Sequence, residues 1–496
     1  MACHFFRSHE NRALIKGLFG CGIISLPDRH DLGYKRFMPD DTQTKPALAQ
    51  TIGGWQILFY GLGSMLGAGI YALIGKAAAG LGNAMWIAFL MAMIGAMLTG
   101  LSYACVGGRY AKAGGAAYVT QRGLGRPMLS YVIGIAVMMS GLTSMATGSQ
   151  AIIGQIRELM GWQLGTTSIK LLSICVVFLV GCVIYRGIRE SMWLNILCTI
   201  IEAGGLLFII VVGVRYWGGV DYFQSPGDTV EGGAGSGITF ALIMQGAVLT
   251  FYSFIGFEDI LNVSEEVKNP SRNIPFGLIG AMILATCIYM AVAITAVSVV
   301  PWQELAKSDA PLMEVARRAA PWFTGIAPVY AGITIFAIGN TALLNYLMGS
   351  RLLYGMSRQG LLPAVLGSVH PKRRSPHVAI GVLFGIVSLL ILSGSVKQLA
   401  ESTVLLLLIV FTAVNISLVV LKRRPGEPRG GFEPPLLVPI LGALVCLLLL
   451  TVRIHSAVTS ADHTQRPAPL IAGAIVIISL VLYKVLRPKD PVVHDV

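Results

Sequence analysis

The sequence predicts an all-α integral membrane protein. Of its 496 residues, 55% are hydrophobic and only 12% are charged, and the mean hydropathy is +0.72. Apolar runs of about 20 residues, the length that crosses a bilayer, recur along the chain between short polar segments. Soluble globular domains carry roughly a quarter of their residues as charged side chains, so this composition excludes that class.

Twelve apolar runs are candidate membrane spans. We place them near residues 53–75, 84–106, 127–154, 168–185, 192–214, 238–263, 275–300, 325–350, 377–394, 400–421, 434–452 and 468–486. Most of the 37 Lys and Arg residues fall in the two tails or in loops that follow even-numbered spans. Because Lys and Arg accumulate in cytoplasmic loops, we expect both termini in the cytoplasm. The net charge of +13 then reflects membrane orientation, and no nucleic-acid partner is predicted.

The order of the spans predicts the organisation of the chain. Spans one to five and six to ten form two halves, residues 51–214 and 238–421, each opening with a glycine-containing helix. The expected boundaries are 1–50 for a disordered cytoplasmic segment, 51–421 for a ten-helix core, 422–486 for two additional helices and 487–496 for a cytoplasmic tail. The eight cysteines include no C-x-x-C pair, so neither a disulfide framework nor a metal site is predicted.

Residues 63–70, with the sequence GSMLGAGI, are unusual inside the first span. Gly61, Gly63, Gly67 and Gly69 fall within nine positions, although glycine costs about 1 kcal/mol relative to alanine in a helix interior. One explanation is close helix packing through G-x-x-x-G. The other is a break near mid-membrane, after which the free N–H groups and positive dipole of the second half-helix face a carboxylate.

Residues 251–259, with the sequence FYSFIGFED, place two acids deep in the sixth span. Each intramembrane charge costs roughly 2.5–3.5 kcal/mol on insertion scales, so such acids face protein or a water-filled cavity. Interrupted helices at corresponding positions of two halves are typical of transporters built from inverted repeats. The second stretch therefore favours a break in both spans.

These stretches resemble the motifs of the amino acid–polyamine–organocation (APC) superfamily of permeases. Residues 63–70 are similar to its first-helix signature, and residues 254–258 with 265–275 are similar to its sixth-helix motif. Residues 114–118 match the start of its third helix, and residues 350–363 match the end of its eighth. The four motifs occur in order and cover the chain from about residue 50 to 490.

The resemblance implies a fold, a transport cycle and a binding site. The fold is that of the leucine transporter, with 12 transmembrane helices, a 5+5 inverted repeat and discontinuous helices 1 and 6, and the cycle is alternating access. Implied substrate-binding residues are Ser64, Met65, Gly67, Ala68 and Gly69 for a carboxylate, Tyr252, Ser253 and Ile255 for an amino group, and Phe254 and Phe257 over the pocket. Backbone amides suit an anion and carbonyls suit an ammonium group.

Several acids have more than one interpretation. Glu202 lies in the fifth span, where some proton-coupled relatives carry a lysine. It is either the proton-coupling group or a neutral acid that is hydrogen-bonded to a broken-helix carbonyl. Glu258 either favours the dipole at the start of the second half of helix 6 or contacts the substrate directly. Glu265 and Glu266, with Arg272 at the expected cytoplasmic end, form either an inner gate or salt-bridge network or a solvated loop.

The function expected from these features is secondary active transport of amino acids, as a symporter with protons. An amino acid/amine exchanger or a polyamine transporter is the alternative, and competition by a substrate without a carboxylate separates them. No clustered catalytic groups indicate an enzyme, and broken helices argue against a channel. Side chains of the third, sixth, eighth and tenth spans would set specificity; candidates are Ser140, Ser144, Asn340 and Asn345. We expect no cofactor, a bilayer environment, and a plasma (inner) membrane location.

Overall fold

The computed structural model describes residues 48–160, 162–163, 165–226, 238–308, 311–393, 396–459 and 467–486. These residues are predominantly helical, and their one β pairing is an isolated parallel bridge between Ile52 and Val267. The expectations for the first 47 residues and for the tail from 487 to 496 lie outside the described residues.

The described α-helices follow the expected spans closely. They are α1 Gly54–Met65, α2 Ala68–Leu81, α3 Met85–Arg109, α4 Gly115–Leu124, α5 Pro127–Met160, α6 Thr166–Arg186, α7 Ile188–Gly213, α8 Phe240–Phe251, α9 Pro270–Val299, α10 Trp302–Lys307, α11 Pro311–Ala319, α12 Ile326–Arg358, α13 His377–Ser393, α14 Val396–Arg423, α15 Leu437–Thr459 and α16 Pro467–Leu486. Within the described ranges, seven helical segments are long and apolar enough to cross a membrane, and three shorter apolar helices accompany them.

Several boundaries differ from the sequence prediction, and two of the differences concern the sixth and seventh spans. The helix of the seventh span, α9, begins at Pro270, five residues before the expected start. Proline suits the first position of a helix, because its missing N–H is not needed there. Asn269, in the left-handed conformation, separates it from the preceding segment. The sixth span is not one helix: α8 ends at Phe251, and a separate 3₁₀ helix covers Phe257–Glu266.

Close packing of small residues sets the arrangement around α1. Helices α1 and α3 both pack on α9, and α12 packs on α5 and α7. At Gly277 of α9, a Cβ atom would lie 2.9 Å from the backbone nitrogen of Leu58, so glycine lets the two backbones meet. Helices in lipid associate through such close van der Waals contact. As a result, the end of α1 is held among α7, α9 and α12.

A short helix lies in the connection between α9 and α12. This helix is α11, which covers Pro311–Ala319. Its apolar side chains Leu312 and Val315 are buried, whereas Arg317 and Arg318 are exposed. The segment therefore covers α2 and α7 with one face.

Candidate functional site

The first helix is interrupted where the sequence predicted it. Helix α1 ends at Met65, and Leu66 still donates its N–H to the carbonyl of Leu62 at 2.8 Å. Helix α2 starts at Ala68, with Gly67 at its N-cap and no capping side chain. The first four N–H groups of a helix have no intrahelical acceptor. The break therefore exposes a row of amide donors at the start of α2.

The sixth span is interrupted as well. After α8, Tyr252–Phe254 form a single 3₁₀ turn, and Gly256 adopts φ 126° before the 3₁₀ helix Phe257–Glu266. A side chain at that φ is strained, so glycine suits this position. The predicted break in both spans is confirmed.

The two breaks touch each other. A Cβ atom on Gly256 would lie 2.6 Å from the carbonyl oxygen of Ser64, and one on Gly69 would lie 3.1 Å from the Cα of Ser253. Gly63 packs elsewhere, because a Cβ there would lie 2.6 Å from Asn340 Nδ2. Both explanations of the glycine-rich stretch are thus correct: the helix breaks, and it also packs closely.

Tyr289 on α9 joins the breaks from behind. Its hydroxyl donates to the carbonyl of Ser253 at 2.9 Å and also contacts the carbonyl of Met65. The ring is fully buried and packs edge-on against Phe254, with ring centroids 5.3 Å apart. One side chain therefore binds the last carbonyl of α1 and a carbonyl of the 3₁₀ turn that follows α8.

A cavity lies between the breaks and the middle of α5 and α12. Its lining residues are Ser64, Met65, Gly67, Gly69, Val137, Ser140, Ser144, Ile255, Gly256, Glu258, Asp259, Thr341, Asn345 and Met348. The predicted site residues among them are Ser64, Met65, Gly67, Gly69, Ile255 and Glu258. The specificity candidates Ser140, Ser144 and Asn345 also line it, whereas Asn340 faces α7 and bonds to Thr199 at 3.2 Å.

Other predicted site residues lie beside the cavity. Ser253 and the rings of Phe254 and Phe257 are buried behind its lining. Phe257 stacks on Phe411 with ring centroids 5.2 Å apart, so it joins α14 to the 3₁₀ helix instead of covering the pocket as expected. The side chains of Ala68 and Tyr252 lie outside the described part of the structure.

Sequence reasoning missed five lining residues. Thr341 and Met348 flank Asn345 at helical spacing i, i+4, i+7 on α12, and Val137 precedes Ser140 and Ser144 at i, i+3, i+7 on α5. Such spacing defines one helix face, so helical periodicity was the signal that could have found them. The other two are Gly256 and Asp259, which lie within the stretch already recognised.

The acidic pair divides its contacts between the two breaks. Glu258 accepts the N–H of Gly256 at 2.7 Å, and Asp259 accepts the hydroxyl of Ser64 at 3.0 Å. Both acids are 4% exposed. Glu258 thus meets the expectation that it favours the start of the second half-helix, while Asp259 reaches across to the first.

Glu202 is fully buried in α7, outside the cavity lining. Asn340 is its polar neighbour, but neither carboxylate oxygen meets hydrogen-bonding geometry with a described residue. The expected bond to a broken-helix carbonyl is therefore not present in this part of the chain. Its own backbone carbonyl accepts the hydroxyl of Tyr71, on α2, at 3.1 Å.

Gly205, which follows Glu202 on α7, lies near the second half of the broken first helix, because a Cβ atom on it would lie 3.5 Å from the Tyr71 hydroxyl of α2. Gly204 faces open space, and Gly205 packs on Ile333 of α12. Contact with α1 is made one turn earlier, where a Cβ on Gly63 would overlap the Thr199 hydroxyl. Glu202 therefore shares its helix face with the residues that touch α1.

An ion pair lies below the cavity, towards the expected cytoplasmic end. Arg351 Nε and Glu266 Oε1 are 2.9 Å apart, and both side chains are fully buried. The carbonyl of Glu266 also accepts the N–H groups of Thr51 and Ile52, each at 3.0 Å. Glu265 takes the N–H of Ala113 at 3.2 Å. These contacts tie the start of α1 to the 3₁₀ helix and to α12.

Two carboxylates in the loop between α14 and α15 pin it to the ends of neighbouring helices. Glu433 pairs with Arg109 of α3 and, at 2.9 Å, with Lys422 of α14. Partial burial acts to raise the pKa of Glu433, but the hydrogen bonds from Arg109 and Lys422 outweigh it and lower the pKa to about 2. Glu427 binds Arg122 at 2.9 Å. The loop is therefore fixed by ionised acids.

Metal chemistry has no candidate here: in the described ranges, no group of three or more His, Cys, Asp or Glu side chains is placed to hold a metal ion. Two broken helices place amide donors and carboxylates around one cavity, inside a bundle of apolar helices. Broken helices around a central site are the construction of secondary transporters. The fold and site thus define a membrane transport protein.

Comparison with known proteins identifies the family. The sequence profile of the amino acid permease family matches residues 52–481, and the chain belongs to that family within the APC superfamily. It is 27% identical over 434 residues to a branched-chain amino acid permease of Bacillus subtilis, covering 82% of this chain and 89% of that protein. A methylthioribose transporter of the same organism is 28% identical over 437 residues, covering 81% of this chain and 88% of that protein.

An animal transporter is also similar to this chain. Cationic amino acid transporter 4 of Mus musculus is 28% identical over 410 residues, which cover 78% of this chain and 62% of that protein. The family and these relatives are transporters, not enzymes. Together with the apolar helices, they support an integral membrane protein that transports amino acids.

Proposed function

We propose that this chain is a secondary active transporter that moves amino acids by alternating access, coupled to protons. The observation that carries the proposal is the cavity where free amides of α2 and the carboxylates of Glu258 and Asp259 meet. Amide N–H groups at a helix N-terminus attract an anion, and carboxylates attract an ammonium group. A zwitterionic amino acid presents both charges.

The substrate carboxylate would lie against the backbone of Gly67, Ala68 and Gly69. Its ammonium group would lie towards Ile255 and the acidic pair, with Ser64 and Met65 between them. The carbonyl of Ser253 is a weaker candidate than the sequence suggested, because it already accepts the Tyr289 hydroxyl. The backbone of Tyr252 precedes it in the same turn, behind Phe254.

The two breaks support the wider architecture that we propose. Each opens one of the halves 51–214 and 238–421, as inverted repeats require. Twelve membrane crossings would then place both termini on the same side of the plasma membrane, and the Lys and Arg bias of the loops makes that side the cytoplasm. The helices of 422–486 would be added to the transport core. Release to the cytoplasm would require the Glu266–Arg351 pair and the Ile52–Val267 bridge to open.

Glu202 is the group that we propose carries the proton. It is a fully buried acid on the helix face that contacts α1 through Asn195 and Thr199. A movement of α1 during the transport cycle would change the surroundings of this face. Intramembrane acids are functional candidates by default, and this one has no described hydrogen bond to explain it structurally.

Uptake by purified protein in proteoliposomes tests the proposal. A panel of labelled amino acids would be offered with a pH gradient, with a sodium gradient, and with neither. Accumulation of an amino acid driven by an inward proton gradient alone is the expected result. Accumulation that requires sodium would overturn proton coupling, and transport of no amino acid in the panel would overturn the function.

An exchanger of amino acids for amines, or a polyamine carrier, is a second candidate. It is favoured by the two carboxylates in a cavity whose described lining contains no Lys, Arg or His. Putrescine and cadaverine, which lack a carboxylate, separate the two functions. Strong competition by either diamine would favour the second candidate, because the amides of α2 would then have no anionic group to bind.

A further inference from the structure

Asp259 is an acid whose position the 3₁₀ helix itself does not explain. An acid in the first turn of a helix usually stabilises exposed N–H groups, and Glu258 already does this for Gly256. Asp259 instead accepts the Ser64 hydroxyl across the gap between the two breaks. Its Oδ1 receives no hydrogen bond from a described residue, and its side chain lines the cavity although it is 4% exposed.

The two acids of this cavity have no cationic side chain beside them in its described lining. Glu258 and Asp259 are adjacent in sequence and both line it, and none of the ion pairs found in the described chain includes either acid. A carboxylate removed from water without a partner is costly. Positive charge from a bound molecule would compensate for it.

An amino acid with a neutral side chain cannot supply enough positive charge. Its carboxylate would bind to the amides of α2, which leaves one ammonium group to pair with two acids. A substrate with a second cation on its side chain matches the remaining carboxylate. Ser140, on the opposite wall and 6% exposed, has no described hydrogen-bond partner for its hydroxyl and adds an acceptor for an N–H group.

The wall near α5 and α12 also fits the stem of such a side chain. Val137 and Met348 supply apolar surface along the cavity, and Asn345 lies between Met348 and Thr341 on the same face of α12. Long cationic side chains bury their methylene groups on apolar surface while the charged end finds polar partners. A flexible stem with a terminal cation therefore suits this lining.

We propose that the substrate is a basic amino acid of the lysine, ornithine or arginine class, and that Asp259 binds its side-chain cation and determines this specificity. The inference rests on the proposed function, since it concerns the same cavity. It assigns Glu258, which also accepts the Gly256 amide, to the α-ammonium group and Asp259 to the side-chain cation. Ser64 then orients the Asp259 carboxylate through one oxygen and leaves the other for the ligand.

Competition between lysine and norleucine isolates the side-chain charge. The two have the same carbon skeleton and differ by the terminal ammonium group. In proteoliposomes of the full chain that take up labelled lysine, unlabelled lysine should compete at least tenfold better than norleucine. A hydrogen bond to a charged group is worth about tenfold to a hundredfold in binding.

Three variants separate charge from geometry. Asp259→Asn keeps an acceptor for Ser64 but removes the charge, so the lysine-to-norleucine preference should fall at least tenfold. Ser64→Ala removes the hydrogen bond and keeps the charge, so the preference should persist even if uptake weakens. Glu304→Gln removes an exposed carboxylate outside the cavity and should leave the preference unchanged.

The possible outcomes separate the basic-substrate inference from the proposed function of amino acid transport. Uptake of neutral amino acids, with lysine failing to compete, would overturn the basic-substrate inference and leave amino acid transport intact. An unchanged preference in Asp259→Asn would remove Asp259 from the specificity site. Uptake of neither lysine nor any neutral amino acid would overturn both the inference and the proposed function.

Discussion

Gly67 and Thr341 face each other across the cavity so closely that a Cβ atom on Gly67 would overlap the Thr341 hydroxyl oxygen. Gly67 is the N-cap of α2, and Thr341 lies on the α12 face that lines the cavity. The hydroxyl of Thr341 donates to the carbonyl of Ala337 at 3.2 Å, which favours this orientation. The absence of a side chain at Gly67 therefore keeps this part of the proposed carboxylate site open.

Replacing Gly67 with leucine should abolish uptake. The Thr341 hydroxyl could rotate away from a single Cβ, but the branched end of leucine would occupy the space in front of the α2 amides. Uptake by Gly67→Leu in proteoliposomes is expected to fall at least a hundredfold, with normal membrane insertion. Gly80→Leu is the matched control, because Gly80 lies on the same helix with nothing near its Cβ position. Normal transport by Gly67→Leu would contradict the carboxylate assignment.

Removing the Tyr289 hydroxyl should loosen both breaks at once. In Tyr289→Phe the carbonyls of Met65 and Ser253 lose their shared donor, and each buried acceptor left without a partner costs about 1–3 kcal/mol. We expect a lower apparent melting temperature in detergent and at least a tenfold lower uptake per folded molecule.

Tyr330→Phe is the control for that experiment. Tyr330 is also buried, its hydroxyl donates to the carbonyl of Gly205 on α7 at 2.5 Å, and neither residue lines the cavity. It should lower stability to a similar extent but leave the uptake rate per folded molecule close to that of the unmodified protein. Equal transport defects in the two variants would show that Tyr289 has no special role at the breaks.

The helix breaks were predictable from the sequence because their causes are local. Glycine density between Gly61 and Gly69 weakens an uninterrupted helix, and the acids Glu258 and Asp259 need a polar environment inside an apolar run. Both signals act through residue type alone. The spans were predictable for the same reason, since about 20 apolar residues in sequence have few other stable environments.

The contacts between elements were not predictable in this way. Tyr289 is one of several aromatic residues in an apolar helix, and its position behind the breaks depends on the rotation of α9 against α1. Phe257 was expected over the pocket but stacks on Phe411 of α14, a partner more than 150 residues later. Helix rotation and pairing are set by the whole bundle, so residue type cannot specify them.

Glu433→Gln should weaken the clamp between the α14–α15 loop and α3. Hydrogen bonds to charged groups contribute about 1.5–3 kcal/mol, and Glu433 receives them from Arg109 and Lys422. We expect a melting temperature a few degrees lower at pH 7. Glu304→Gln is the control, since its ion pair with Arg318 is exposed and such pairs contribute about 0–1 kcal/mol.

The Glu433 effect should depend on pH with a definite sign. Its pKa in the folded protein is about 2, below the ordinary glutamate value of about 4.3, so folding favours the ionised form. The stabilisation is complete above about pH 4.3 and is lost as the pH falls towards 2. The melting-temperature difference between Glu433→Gln and the unmodified protein should therefore be constant from pH 8 to 5 and shrink below pH 4. A difference that grows on acidification would contradict this assignment.

Glu202→Gln tests whether the buried acid of α7 couples protons to transport. Glutamine keeps the size of the side chain and can fill the same space beside Asn340, but it cannot release a proton. Substrate exchange across the membrane requires no net proton movement, so we expect counterflow of the labelled amino acid to continue. Accumulation driven by a pH gradient should be lost, because the variant cannot carry a proton through the cycle.

Glu202→Asp provides the matched control for coupling. It keeps an ionisable group at the same position, one methylene shorter, and should retain part of the proton-driven accumulation while Glu202→Gln retains none. The proposed basis is the packing of Asn195 and Thr199 against Gly63. A movement of α1 would change the contact of this buried face with water, and the Glu202 carboxyl would then release or take up its proton. If Glu202→Gln still concentrates substrate with a proton gradient alone, Glu202 has a structural role and another acid carries the proton. Glu258 and Asp259 would then be the first candidates, because both line the cavity.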